Sequence, residues 1–161
     1  MSMDVRSMPE EDILTVGMQA PSFPGSASFP GKNVVLYFYP KSGTHICKQE
    51  VAVFSREAAE FARLETELVG IDCQLADEEL LNSYGVLKHK RWWRRGIWRV
   101  NRSSILIDTT GIIRRVWRNV KHVEQHVAEV KHAALVLQGL RYQQKLKSLP
   151  ADGLIVPRCQ S

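Results

Sequence analysis

Seven consecutive residues, Asn33 to Tyr39 (Asn-Val-Val-Leu-Tyr-Phe-Tyr), form an unbroken run dominated by β-branched and aromatic side chains. A strand with one wet face alternates apolar and polar residues, and this run does not alternate. It predicts a central strand buried on both faces, which requires covering layers above and below its sheet. Pro40 ends the run, because proline cannot donate to a sheet ladder. Residues 41–44 predict a turn. From about Cys47 to Glu67, the apolar residues Val51, Phe54, Ala58, Phe61 and Leu64 recur at three- and four-residue spacing and predict a helix.

The rest of the chain repeats this alternation. Residues 68–71 predict a second short buried strand. Residues 77–84 predict a short helix with acidic residues in its first turn and Gly85 after its end. The stretch 88–101 reads equally as a strand-containing hairpin or a loop. Residues 104–108 and 112–117 predict two strands around a Thr-Thr-Gly turn. A long helix over 123–147 would set Val127, Val130, Ala134, Leu137 and Leu140 on one face. The Pro-, Gly- and Ser-rich stretch 20–32 predicts irregular structure, as do a leader at 1–15 and a tail at 148–161. Strands alternating with helices point to one three-layer α/β domain spanning 1–161.

Composition narrows the setting. Hydrophobic residues make up 44% and charged residues 24%, enough for an ordinary core without metal or disulfide staples. No run of about 18 apolar residues predicts a membrane span, and the N-terminus lacks the apolar segment of a secretory signal. The expected compartment is cytoplasmic and reducing. The three cysteines, Cys47, Cys73 and Cys159, are too scattered for a disulfide framework or a zinc site. Of the net charge of +5, seven basic residues fall between Lys88 and Arg102 with no acid among them, so the remainder carries −2. That segment also holds Trp92, Trp93 and Trp98, which raises a nucleic-acid or anionic-surface reading.

Chemistry concentrates at Cys47. In open α/β sheets ligands bind beyond the carboxyl ends of the strands, where loops lead into helices. Cys47 falls in the first turn of such a helix, where unpaired N–H groups and the helix dipole favour a thiolate and can hold a polar oxygen. Thr44, three residues earlier, can turn its hydroxyl towards the sulfur. The competing reading is a small buried cysteine that only packs.

The segment Gly-Lys-Asn-Val-Val-Leu-Tyr-Phe-Tyr-Pro-Lys-Ser-Gly-Thr-His-Ile-Cys, 31–47, resembles the active-site segment of the bacterioferritin-comigratory, or Q-type, peroxiredoxins. Pro40, Thr44 and Cys47 match the superfamily's P-x-x-x-T-x-x-C motif, and Glu50 stands where the subfamily carries a glutamate. Residues 101–111 resemble the family's strand with an active-site arginine just before it, here Arg102. Residues 16–21, 84–86 and 116–121 resemble further segments, so the likeness runs from about residue 16 to residue 137. It implies a thioredoxin-like α/β/α sandwich with a central mixed sheet, no cofactor, a peroxide substrate, and thioredoxin or another thiol as reductant. The Cys47 thiolate would attack one peroxide oxygen while Thr44, helix-end N–H groups and Arg102 hold both oxygens, Pro40 shields the sulfur, and a sulfenic acid forms.

The chain departs from that pattern. His45 replaces a common proline, and Ala52 stands where a resolving cysteine is frequent. Cys73 is the tentative resolving residue, with Cys159 and an external thiol as alternatives. About twenty residues are missing near Asp72–Gln74 relative to the family, which would bare the edge of the strand 68–71 and permit a monomer or an edge-paired dimer. A thioredoxin-like domain that has lost turnover is therefore a second reading. The histidines His122, His126 and His132 are expected to be solvated on the last helix rather than metal ligands.

Overall fold

The computed structural model of the chain describes residues 14–40, 43–89 and 98–150. In chain order the elements are β1 (Asn33–Tyr39), α1 (His45–Arg63), β2 (Thr66–Asp72), α2 (Glu78–Ser83), β3 (Leu87–His89), β4 (Trp98–Val100), β5 (Ser103–Ile107), β6 (Ile113–Trp117) and α3 (Val123–Ser148).

The run at 33–39 is an inner strand of a four-stranded mixed sheet ordered β2-β1-β5-β6. It pairs parallel with β2 from Asn33–Thr66 to Tyr39–Asp72, and antiparallel with β5 from Val34–Ile107 to Phe38–Ser103. Its first six residues are buried. Val34, Leu36 and Phe38 point to one face and pack with Leu14, Leu81, Tyr84, Val86 and Ile105. Val35 and Tyr37 point to the other and pack with Phe54 and Phe61 of α1 and Val127 and Val130 of α3. Two apolar faces on one strand thus produce the three layers, one built by α1 and α3. The opposite layer is thinner, built from the six-residue α2, the β3–β4 ribbon and the segment around Phe23 and Phe29, which holds a single 3-10 turn at Ser26–Ser28.

Boundaries shift for local reasons. Helix α1 stops at Arg63, before the expected Glu67, because Glu65 takes a left-handed φ of 51° and Thr66 already joins β1 in the ladder. Strand β2 is correspondingly longer than 68–71 and lies at the sheet's edge. On β2, a Cβ at Gly70 would come within 2.7 Å of the Tyr37 ring, so glycine is what lets that ring lie across the strand. The hairpin alternative for 88–101 is observed where β3 pairs with β4, while 90–97 fall outside the described residues. The leader at 1–13 and the tail at 151–161, with Cys159, fall outside them too. No helix among the described residues is long and apolar enough to cross a membrane.

Two expectations for α3 fail. His126 is not solvated: it is 5% exposed, its ring lies edge-on to Phe54 and Trp117, and its Nε2 is 2.7 Å from Ser104 Oγ. Burial drives its pKa down to about 4, so the ring is neutral at pH 7. Leu140 is not on the core face, because the buried positions of α3 end at Ala134 and Leu140 is 53% exposed. The helix outruns the strands it packs on.

Candidate active site

Strand β1 delivers the chain to the site and Pro40, half-buried, follows its last residue. Helix α1 begins after Thr44, whose extended backbone makes it the N-cap; its Oγ1 accepts from the Cys47 N–H at 3.4 Å. Cys47 therefore occupies the first turn, 1% exposed, where the helix presents its positive end.

Arg102 directly precedes β5, the neighbour of β1, at the end where Ser103 pairs with Phe38. The loop before β5 is braced at three points: Asn101 N–H donates to the Val86 carbonyl at 2.8 Å, Val120 N–H to the Arg102 carbonyl at 3.1 Å, and Asn119 N–H to Asn101 Oδ1 at 2.8 Å. This holds the guanidinium over the start of α1. Its Nη2 donates to Cys47 Sγ at 3.0 Å, and its Nη1 pairs with Glu50 Oε2. The guanidinium thus sets a fixed cation and a hydrogen-bond donor against the sulfur.

Glu50 lies one turn beyond Cys47 on the same helix face and is fully buried. Burial pushes its carboxyl above the usual range while Arg102 pulls it back. Among the described residues its Oε1 has no hydrogen-bond partner. Sequence reasoning noted Glu50 as a match but left it out of the site; the signal was its three-residue spacing from Cys47, a charge on an otherwise apolar stripe. Tyr39 was missed altogether. Its hydroxyl is pushed up by burial first, then by the charges of Asp72, Cys47, Cys73 and Glu50, which places it within electrostatic reach of the group.

Cys73 stands at the same end of the sheet. Its N–H donates to the Tyr39 carbonyl at 3.1 Å, extending the β2 ladder, and its Sγ donates to the Ile71 carbonyl at 3.8 Å. It packs with Phe38, Ile71 and Tyr84. Burial pushes its thiol up to about 12, with Asp72, Cys47 and Glu50 adding to the rise and Arg102 opposing it. Thr44, Cys47, Arg102 and Cys73 are thus brought to one end of the sheet, with Pro40 adjoining. His45, His122 and His132 are exposed. Among the described residues no cluster of three or more His, Cys, Asp or Glu is arranged to hold a metal ion.

A low-dielectric thiol with a fixed cation and helix-end donors is suited to attack a polar, weakly bonded oxygen pair. The comparisons agree. Residues 25–78 match the AhpC/TSA family. Peroxiredoxin Bcp of Bacillus subtilis is 33% identical over 123 aligned positions, covering 64% of this chain and 78% of that protein. Since 64% of this chain is about 103 residues, some twenty of those positions lack a counterpart here, the size of the expected shortening. Peroxiredoxin-2 of Bos taurus is 31% identical, with 79% of each chain covered. Peroxiredoxin Q of Xanthomonas campestris superposes with a TM-score of 0.62 at 26% identity, over 70% of this chain and 83% of that one. AhpC of Mycobacterium tuberculosis, at 23% identity and a TM-score of 0.61, shares the thioredoxin-like fold. With its fold, its strand–turn–cysteine junction and these relatives in agreement, the chain belongs to the peroxiredoxins, in the Bcp and peroxiredoxin Q type, and is a thiol-dependent peroxidase.

Proposed function

We propose that Cys47 is the peroxidatic nucleophile and that Arg102, Thr44, Pro40 and Glu50 form its immediate setting. The observation that carries this is the Arg102 Nη2 donor 3.0 Å from Cys47 Sγ, with the same guanidinium anchored on Glu50. The thiolate attacks the terminal oxygen of hydrogen peroxide or an organic hydroperoxide. The S–O bond forms as the O–O bond breaks, the leaving oxygen departs as water or alcohol after taking a proton, and Cys47 becomes a sulfenic acid. Arg102 and the first-turn N–H groups stabilise charge on the departing oxygen. Pro40 limits water around the sulfur.

Cys73 is the proposed resolving residue, supported by its place at the same sheet end. A buried thiol near 12 is a poor nucleophile at pH 7, so its attack on the sulfenic acid requires that it first be uncovered. An external thiol competes with it, and thioredoxin is the proposed physiological reductant, in the cytoplasm. The whole chain, 1–161, serves as one domain.

Peroxide consumption with dithiothreitol or thioredoxin tests the reading. Cys47→Ser is expected to abolish turnover, whereas Cys73→Ser keeps the first turnover and alters only regeneration. Turnover retained in Cys47→Ser would overturn the assignment.

A further inference from the structure

A cavity of about 740 Å³ lies between α3 and the β5–β6 hairpin, and the peroxide chemistry makes no use of it. Its volume falls within the roughly 300–1,000 Å³ of small-molecule sites. One wall is apolar, made of Leu106 from β5 and Ala133, Val136, Leu137 and Leu140 from α3. Asn33, the first residue of β1, forms the floor. Strand alternation turns its side chain to the face of Val35 and Tyr37, which α3 covers. The residue is 1% exposed, yet neither Nδ2 nor Oδ1 of its carboxamide is hydrogen-bonded among the described residues. Buried amides are nearly always paired, because an unpaired one loses its hydration without replacement. A donor and an acceptor side by side, unclaimed by the protein, fit a ligand that offers an acceptor beside a donor.

The rim is cationic, with Arg114, Arg115 and Arg141 set against the carboxylates of Asp108 and Glu129. Asp108 is claimed by its own turn and by Arg114, and Arg141 pairs with Glu65. Arg115 is exposed and makes no ion pair among the described residues; its guanidinium stands 5.4 Å from the Trp117 ring centroid.

We propose that this cavity binds an adenine nucleotide. The exocyclic amine of the base donates to Asn33 Oδ1 and a ring nitrogen accepts from Nδ2, the two-bond pairing by which asparagine reads adenine. The apolar wall covers the face of the base, and Arg115 meets the phosphate. A purely apolar ligand would leave the carboxamide unpaired, and a bare anion would leave the apolar wall uncovered. Asn33 opens β1 whereas the junction carrying Cys47 follows its last residue, so the nucleotide base and the peroxide occupy opposite ends of that strand.

Calorimetric titration of the full chain with AMP, adenosine and ribose 5-phosphate tests this. AMP should bind saturably, adenosine more weakly, and ribose 5-phosphate should not bind. Asn33→Leu replaces the unpaired carboxamide by an apolar group of similar size, so the fold and peroxide turnover should be retained. It should weaken both AMP and adenosine by about tenfold or more, the scale of losing a two-bond base contact. Arg115→Glu changes an exposed side chain and should weaken AMP by about tenfold while leaving adenosine unchanged. That split separates the base contact from the phosphate contact and does not arise from misfolding. AMP without saturable binding would overturn the proposal, as would ribose 5-phosphate binding as tightly as AMP. So would AMP affinity indifferent to Arg115→Glu, or a peroxide-active Asn33→Leu that binds AMP like the parent chain.

Discussion

Two arginine–carboxylate pairs flank β5, and they are built to opposite ends. Before the strand, Arg102 pairs with Glu50, a fully buried carboxylate with a single partner and one oxygen unsatisfied among the described residues. After it, Asp108 is 9% exposed and accepts from Thr110 N–H at 2.8 Å, Thr110 Oγ1 at 2.6 Å, Ile112 N–H at 3.0 Å and Arg114 Nε at 2.6 Å. Burial raises both carboxyls. At Glu50 it wins over the single arginine, whereas at Asp108 the donors outweigh it and hold the group below its usual range. The saturated pair tightens a turn. The undersatisfied pair leaves its arginine a second face, and that face is turned to Cys47. A guanidinium whose carboxylate takes only one edge retains donors for a sulfur anion and for substrate oxygen.

Breaking each pair separates the two roles. Arg102→Lys removes the fork that reaches Glu50 and Cys47 together. Peroxide reduction in single-turnover kinetics should fall by about 10²-fold or more, the scale of losing an oxyanion donor. Asp108→Asn should leave that rate unchanged and cost about 1–3 kcal/mol in denaturant unfolding, since it weakens several bonds to one partly buried group.

The smallest effect is in pH dependence, and its sign differs between the pairs. Glu50 titrates above its unfolded value of 4.5, so the folded state holds its proton longer; its contribution is full below 4.5 and falls as pH rises through the folded pKa. Asp108 titrates below its unfolded value of 3.8, so its contribution is present above 3.8 and is lost as pH falls through the folded pKa. Unfolding free energies of Glu50→Gln and Asp108→Asn across the acid range should flatten opposite limbs of the profile. Flattening of the same limb would refute the contrast.

What the sequence disclosed follows from how local each signal is. The unbroken run at 33–39, the Pro40 stop and the helix start near Cys47 are neighbours in the chain, so the strand, its end and the place of Cys47 in a first helical turn were legible together, whereas the Thr44 cap was not. Arg102 was legible only through resemblance, because nothing in a basic segment marks which arginine turns inward. Glu50 was half legible: spacing put it on the Cys47 face, but its burial depends on an arginine 52 residues away. His126 was misread because its surroundings on α3 look solvated; its partner Ser104 sits on another element. Leu140 was misread because periodicity does not say where the sheet ends beneath a helix.

In the proposed mechanism Arg102 and the start of α1 make Cys47 the sulfur that takes the peroxide oxygen. Its most direct measurement is treatment with one equivalent of hydrogen peroxide in the presence of dimedone, followed by peptide mass mapping. The expected result is the sulfenic-acid adduct on Cys47, with Cys73 unlabelled; an adduct on Cys73 with Cys47 unmodified would overturn that role for Cys47.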